Sequence, residues 1–380
     1  MKIYKTAALL IIVLLWLFDS YAQPCFPDGV TFENQTDIDN FQIDYPNCSN
    51  IGGNVIIGNN YGDITNLVGL SIIDTIQGDL VIIYNPDLYS LNGLQNLKYV
   101  GGSLTVKNNY ILQSISSLGN LNHIGANLFI DGNYKLVDLT GLDSIASIPQ
   151  GLRIENNGDL LQLTGLQNLS SVGSYFVISH NFKLISASQL ENLDSVGTGF
   201  LIFHNYDLID LEGLENLSFV GGPLTISSNY SLTSLTGLDN INYETLENLY
   251  IDRNSELSFC EIQSVCDFLE NNSYHYSIHS NAEGCNSDEE ILSACETVNT
   301  TSKLEAQIYI YPNPTNGKVF IAGINANDNI EIELFNNLGI KVLQDYGLSD
   351  FIDISTLAKG FYTIQIEINE SILIRKLIIQ

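Results

Sequence analysis

The residues of this chain best equipped for chemistry are few and are placed alike. His180 and His204 each directly precede an asparagine, and Asp87, Asp159 and Asp207 each follow one by two positions. Paired imidazoles suggest zinc and carboxylates in register suggest calcium, but zinc needs further Cys, His or carboxylate ligands and calcium needs six to eight oxygens. No cysteine or second carboxylate accompanies the histidines, and the three aspartates do not fall in consecutive repeats, so no metal or other cofactor is expected. G-x-S-x-G, H-E-x-x-H, the phosphate-binding glycine loop and the calcium loop D-x-[DN]-x-[DN]-G are also missing, so the expectation is a protein that is not an enzyme.

The most regular polar residue is asparagine. Asn60, Asn85, Asn109, Asn133, Asn157, Asn181, Asn205, Asn229 and Asn254 follow one another at a nearly constant step, lengthened by a single position at each end of the series. A fixed period of this size is the signature of a solenoid, whose repeats each bury an apolar side only by stacking on the next. The amides are read as structural, satisfying backbone groups where each coil turns, and not as a ligand ladder.

A short segment precedes each asparagine, as in Leu104-Thr-Val106, Leu128-Phe-Ile130 and Leu152-Arg-Ile154. It alternates with period two and predicts a strand, stacked in parallel on its neighbours about 4.8 Å away. After the asparagine the apolar residues recur every third position, through Leu112, Ile115, Leu118, Leu121 and Ile124. That spacing fits neither a long helix nor a simple strand, and predicts a flattened, three-sided coil turning at Gly and Asn. Each inward Leu or Ile contributes roughly 1.5 to 3 kcal/mol when fully buried.

Residues 1–22 combine Lys2 and Lys5, an apolar run from Ala7 to Phe18 and the small-residue site Ser20-Tyr-Ala22, the pattern of a secretory signal peptide rather than a membrane span. The formal charge of the chain is −29. This acidity lies mostly before residue 307 and repels phosphate backbones and anionic lipid, so nucleic acid is not an expected partner. No other apolar run is long enough to cross a bilayer.

The six cysteines flank the repeats, where the open ends of a solenoid need caps. Export favours disulfides, with Cys25–Cys48 closing an N-terminal cap built on Phe32, Ile38, Phe41 and Tyr45. The last four leave three pairings, of which Cys260–Cys285 with Cys266–Cys295 is preferred. Ser258-Phe-Cys-Glu261 and Ser287-Asp-Glu-Glu290 predict two short helices in the C-terminal cap.

The repeat Asn85-Pro-Asp-Leu88 and the exit Asn254-Ser-Glu-Leu257-Ser-Phe-Cys260 resemble leucine-rich repeats of the receptor L-domain type. The resemblance implies a right-handed β-helix used for recognition. Leucine follows the asparagine by three positions here, not two as in the commonest leucine-rich repeat, which favours a straighter, all-β coil.

Thr297–Gln307 is polar and out of register, and reads as a linker. From 308 the period becomes two, in Ile330-Glu-Ile332-Glu-Leu334 and Ile364-Gln-Ile366-Glu-Ile368, with turn signals at Pro312-Asn313-Pro314, Asn316-Gly317 and Asn337-Leu-Gly339. A small immunoglobulin-like antiparallel β-sandwich is expected. Tyr311-Pro312-Asn313-Pro314-Thr-Asn-Gly317, Leu334-Phe-Asn-Asn-Leu-Gly339, Leu357-Ala-Lys-Gly360-Phe-Tyr362 and Lys376-Leu-Ile-Ile-Gln380 resemble the type A C-terminal sorting domain of the bacterial type IX secretion system. The resemblance implies export by that machinery, removal of the domain, and often attachment of the cargo to surface lipopolysaccharide.

The expected organisation is therefore a signal peptide at 1–22, an all-β, 24-residue-repeat solenoid with a small helical disulfide cap at 23–296, a linker at 297–307 and a sorting domain at 308–380. The expected function is binding or adhesion, without catalysis, outside the outer membrane. A passive envelope component and an enzyme with an unrecognised site are the alternatives. The expected ligand is a glycan or protein laid on the outward strand positions, which read Val81, Ile83, Thr105, Lys107, Phe129, Asp131, Arg153, Glu155, Val177, Ser179, Leu201, Phe203, Thr225, Ser227, Tyr250 and Asp252. Of these, Phe129, Arg153, Leu201, Phe203 and Tyr250 are the candidate contacts. Beside them runs an aromatic column, Tyr61, Tyr110, Tyr134, Phe182, Tyr206 and Tyr230, read as rings that stack on one another and cover the corner of the coil, with a stacking platform for an extended ligand as the functional alternative.

Overall fold

The computed structural model describes residues 24–59, 62–271, 275–295, 309–311, 313, 315, 317–322, 330–345, 351–368 and 371–379. The predicted signal peptide, Asn60, Tyr61, the linker, Pro312, Pro314, Asn316 and Gln380 lie outside these residues. No described helix is long and apolar enough to cross a membrane. The chain divides into two units, residues 1–258 with 273–282, and residues 259–272 with 283–380.

Repetition in the first unit becomes stacking. Eleven parallel strands form one sheet, beginning at Val30–Phe32 and Val55–Ile57 and ending at Asn248–Asp252 and His275–His279. Register is kept from coil to coil, so that Leu128, Leu152, Phe176, Phe200, Leu224 and Leu249 form one inward column. All six are essentially without solvent exposure.

A second side of the coil carries two-residue strands in two separate sheets of four. The first ends at His123–Ile124 and the second begins at Ser147–Ile148. On either side of the break a glycine amide joins the coils, Gly125 N donating to Val100 O and Gly173 N to Ile148 O. Pro149 takes that place between them and has no N–H to donate to Ile124. The third side is made of tight turns and short 3-10 segments such as Ser116–Leu118 and Ser188–Leu190. Gly93 and Gly165 sit at its corner with φ of 124° and 112°, and a Cβ there would come within about 2 Å of the carbonyl of Leu67 or Leu139 in the previous coil.

From Asn85 to Asn254 the asparagine ladder is fully buried. The Nδ2 of Asn157 donates to Ile130 O at 3.0 Å, and its Oδ1 accepts from the backbone N–H of Asn133 at 3.1 Å. The same pair of bonds recurs at Asn109, Asn133, Asn181, Asn205, Asn229 and Asn254. The ladder runs one rung past the last expected asparagine, to Asn281, whose Oδ1 accepts from Asn254 N and whose Nδ2 donates to Ile251 O. Its longer step from Asn254 hid it from the regular period. Residues directly before the rungs turn through left-handed backbone, including Asn156, His180, His204 and Ser228 with φ of 55° to 58°. Such strain persists where the surroundings over-determine it, as the ladder bonds do here.

A second ladder was not anticipated. Asn96, Asn120, Asn168, Asn192, Asn216 and Asn240 each donate from Nδ2 to a carbonyl of the preceding coil at 2.6–2.7 Å.

The N-terminal cap contains a helix that the expected all-β description omits, Gln35–Asp44, opened by a capping box in which Asn34 accepts from Asp37 N and Asp37 accepts from Asn34 N. It buries Ile38 and Phe41. Tyr45, expected inside the cap, is 47% exposed and meets Phe26 edge-on at its rim. Cys25 and Cys48 are bonded.

In the second unit, Cys260 is bonded to Cys285 and Cys266 to Cys295. The helix expected from Ser258 begins later, at Gln263, because Glu261 accepts from Cys260 N instead of completing the predicted box. The chain is helical again over 288–295, with Ser287 Oγ accepting from Glu290 N.

The remainder is antiparallel. A four-stranded sheet runs in the order Lys341–Asp345, Ile330–Asn336, Gly360–Ile368, Ser371–Ile379, and a three-stranded one comprises Tyr309–Tyr311, Lys318–Ala322 and Ile352–Asp353. Val319, Leu334, Ile354, Ile364, Ile366, Leu373 and Leu377 form its core.

Candidate functional site

The outward positions of the long sheet form two columns. Phe129, Arg153, Val177, Leu201, Thr225 and Tyr250 stand in register in one, and Asp131, Glu155, Ser179, Phe203, Ser227 and Asp252 in the other. Arg153 is exposed, and Phe129, Leu201, Phe203 and Tyr250 are half-buried. Two positions depart from the expected outward face: Val177 is 6% exposed and Ser179 is fully buried. Both are short side chains flanked by long ones, Val177 by Arg153 and Leu201, and Ser179 by Glu155 and Phe203. Ser179 Oγ donates to Glu155 Oε1 at 2.9 Å. Arg153 is held by Glu155 at 2.8 Å and lies over the Tyr175 ring. Lys107 pairs with Asp131 at 2.7 Å, which raises its pKa.

Among the described residues the aromatic column resolves into two stacks. Tyr110 and Tyr134 stack at 5.3 Å, and Phe182, Tyr206 and Tyr230 at 4.9 and 4.8 Å. The rings stack on one another as expected, and as a platform the column is only partly available, because Tyr206 has a neighbouring ring on each face and offers a ligand its edge. Gly158 separates the stacks.

Where the rings adjoin the sheet, His180 and His204 meet with centroids 4.6 Å apart, and Phe203 packs edge-on against both. Burial, and then the charge of His180, push the His204 pKa down. Phe203 and the Phe182–Tyr206 stack thereby join in one patch, a connection invisible in residues considered column by column. Beyond the rings, Val137, Leu161, Ile185 and Ile209 make an exposed aliphatic stripe that sequence reasoning missed. Its signal was available as four apolar residues at equivalent places in successive repeats.

The aspartates considered for calcium are separated as expected. Asp159 is bound by Lys135 at 2.9 Å and Lys183 at 2.8 Å, from the coils on either side, and these bonds hold its carboxyl below the usual carboxylate range. Among the described residues no three His, Cys, Asp or Glu side chains gather in a metal-binding set.

In the sandwich, Asn313 acts as a strand partner: its Nδ2 donates to Lys376 O at 2.7 Å and its Oδ1 accepts from Ile378 N at 3.0 Å. Gly317, Gly339 and Gly360 all have positive φ. Tyr362 is buried and donates its hydroxyl to Ala358 O, while the Lys376 ammonium lies over Phe361. The motif residues thus position a turn against the last strand.

These features define a parallel β-solenoid followed by an antiparallel β-sandwich. Residues 47–162 match the family described as Receptor L domain, and residues 309–380 match the Secretion system C-terminal sorting domain. The chain therefore carries a domain handled by the type IX secretion machinery, which exports its cargo to the cell surface or beyond, together with a domain of a binding type. No curated protein matches the sequence.

Proposed function

We propose that the chain is a non-enzymatic binding or adhesion protein displayed outside the outer membrane, with a glycan or protein ligand laid along the outward face of the long sheet. The observation that carries this reading is the make-up of that face. Phe129, Arg153, Leu201, Phe203 and Tyr250 stand on consecutive or near-consecutive strands, and aromatic residues and arginine dominate binding hot spots. A sheet locked by eleven in-register strands holds them without further ordering on binding, which lowers the entropic cost of association. The stacked rings of Tyr110, Tyr134, Tyr206 and Tyr230 extend the surface at its border. Residues 1–22 serve as the signal peptide, the sorting domain is removed on export, and the cargo is retained on surface lipopolysaccharide.

The test is binding of the native chain and of Phe129→Ser and Phe203→Ser to an immobilised panel of matrix proteins and glycans. Each variant should bind at least about tenfold more weakly, a typical hot-spot loss, with an unfolding midpoint close to that of the native chain. Normal binding by both variants, or unfolding of both, would remove the sheet as the ligand's seat.

A further inference from the structure

No backbone clash or left-handed φ accounts for the gap in the aromatic column. Most glycines of the solenoid are required by their surroundings, as Gly93 and Gly165 are by the carbonyls of the previous coil. Gly158 differs: its φ is ordinary, and a Cβ built on it would meet nothing nearer than Tyr134 O at 3.9 Å. A Cβ therefore fits there without a clash, at the position where the adjoining coils carry Tyr134 and Phe182.

Glycine at this rung opens a slot. Neighbouring rings in the column are 4.8–5.3 Å apart, so Tyr134 and Phe182, separated by two coil steps, are roughly 10 Å apart. Each already has a ring stacked on its other side, Tyr110 and Tyr206 respectively, and turns its remaining face to the gap. Exposure agrees: Tyr134 is 51% exposed and Phe182 42%, against 36% for Tyr206 inside its stack. Along one side of the slot Lys135 and Lys183, which follow the two rings directly, converge on Asp159, which follows Gly158.

We propose that this slot binds a single pyranose ring of a glycan. Two aromatic faces one guest-width apart suit a chair-shaped sugar, which presents C–H bonds on both of its faces and is thicker than a flat aromatic ring. The Lys135–Asp159–Lys183 bridge supplies carboxylate and ammonium groups beside it, matching the hydroxyls on a sugar's rim. The phenyl ring of a peptide ligand would leave these polar groups unused. The inference rests on the reading of the chain as a binding protein but not on the sheet as the ligand's seat.

The experiment uses the fluorescently labelled full-length chain on a printed array of pyranose oligosaccharides, followed by titration calorimetry with the free oligosaccharide of the brightest spot. Gly158→Tyr, which completes the column, should raise Kd at least tenfold while leaving the unfolding midpoint unchanged or higher. Gly158→Ala should stay within twofold of the native chain. Absence of any array signal, native affinity in Gly158→Tyr, or an equal loss in Gly158→Ala would overturn the proposal. If Gly158→Tyr melts early, Phe182→Leu decides: a tenfold loss supports the slot and native affinity overturns it. Displacement of the oligosaccharide by N-acetyl-tyrosine amide would assign the slot to aromatic side chains instead. Loss of binding in Phe129→Ser and Phe203→Ser with native affinity in Gly158→Tyr would leave the sheet reading standing and end this one.

Discussion

Replacing Asn157 by alanine should be far more damaging than its size suggests. The side chain is fully buried and serves two coils, donating to Ile130 O and accepting from Asn133 N. Alanine leaves that carbonyl and that amide in a place water does not reach. Each stranded group costs about 1 to 3 kcal/mol, so the loss should be about 2 to 6 kcal/mol, with a small cavity in addition. Asn181, the next rung, keeps its bond from Asn157 N and is not orphaned. The adjoining Asn156 is the control. Its side chain only donates to Asp131 at the exposed rim, so Asn156→Gly, which also relieves the left-handed φ of 56°, should change stability by less than about 1 kcal/mol. Urea unfolding followed by circular dichroism measures both. A loss below about 1 kcal/mol for Asn157→Ala, or equal losses at 156 and 157, would refute the claim that the ladder satisfies buried backbone groups.

Two further outcomes follow from the structure. His204 has a depressed pKa because of burial and His180, so the unfolded chain takes up its proton first. Its stabilising contribution is complete above the unfolded value of about 6.5 and is lost as pH falls through the lower folded value. Melting curves from pH 7.5 to 4.5 should therefore be flatter in this region for His204→Gln than for the native chain, and coincident slopes would count against the burial argument. For export, deletion of residues 308–380 should hold the protein in the periplasm, and fractionation of cells expressing the truncated chain reads this directly. Recovery of the truncated chain at the surface would show that the sorting domain is dispensable.

The coarse architecture was legible because it depends on local repetition. A strand-forming Leu-x-Ile, an asparagine and a run of every-third apolar residues, repeated at a fixed period, can bury themselves only by stacking in register. The cysteines at the two ends and the period-two pattern after 308 were readable for the same reason, since each is a property of neighbouring residues. Other features are carried by the sequence in less regular signals. The Asn34–Asp37 capping box announces the N-terminal helix, and Asn96 to Asn240 announce a second ladder.

What the tertiary structure alone decided is which surface positions are accessible and which faces are occupied. Alternation placed Val177 and Ser179 outward, yet longer neighbours on adjacent strands cover them. Residue order placed six rings in one column, but only stacking shows that Tyr206 has both faces taken and that Tyr134 and Phe182 turn theirs to a gap. Gly158 is the sharpest case. In the sequence it is one glycine among 30, and whether it relieves a clash or opens a space depends on atoms remote along the chain, in the coils on either side.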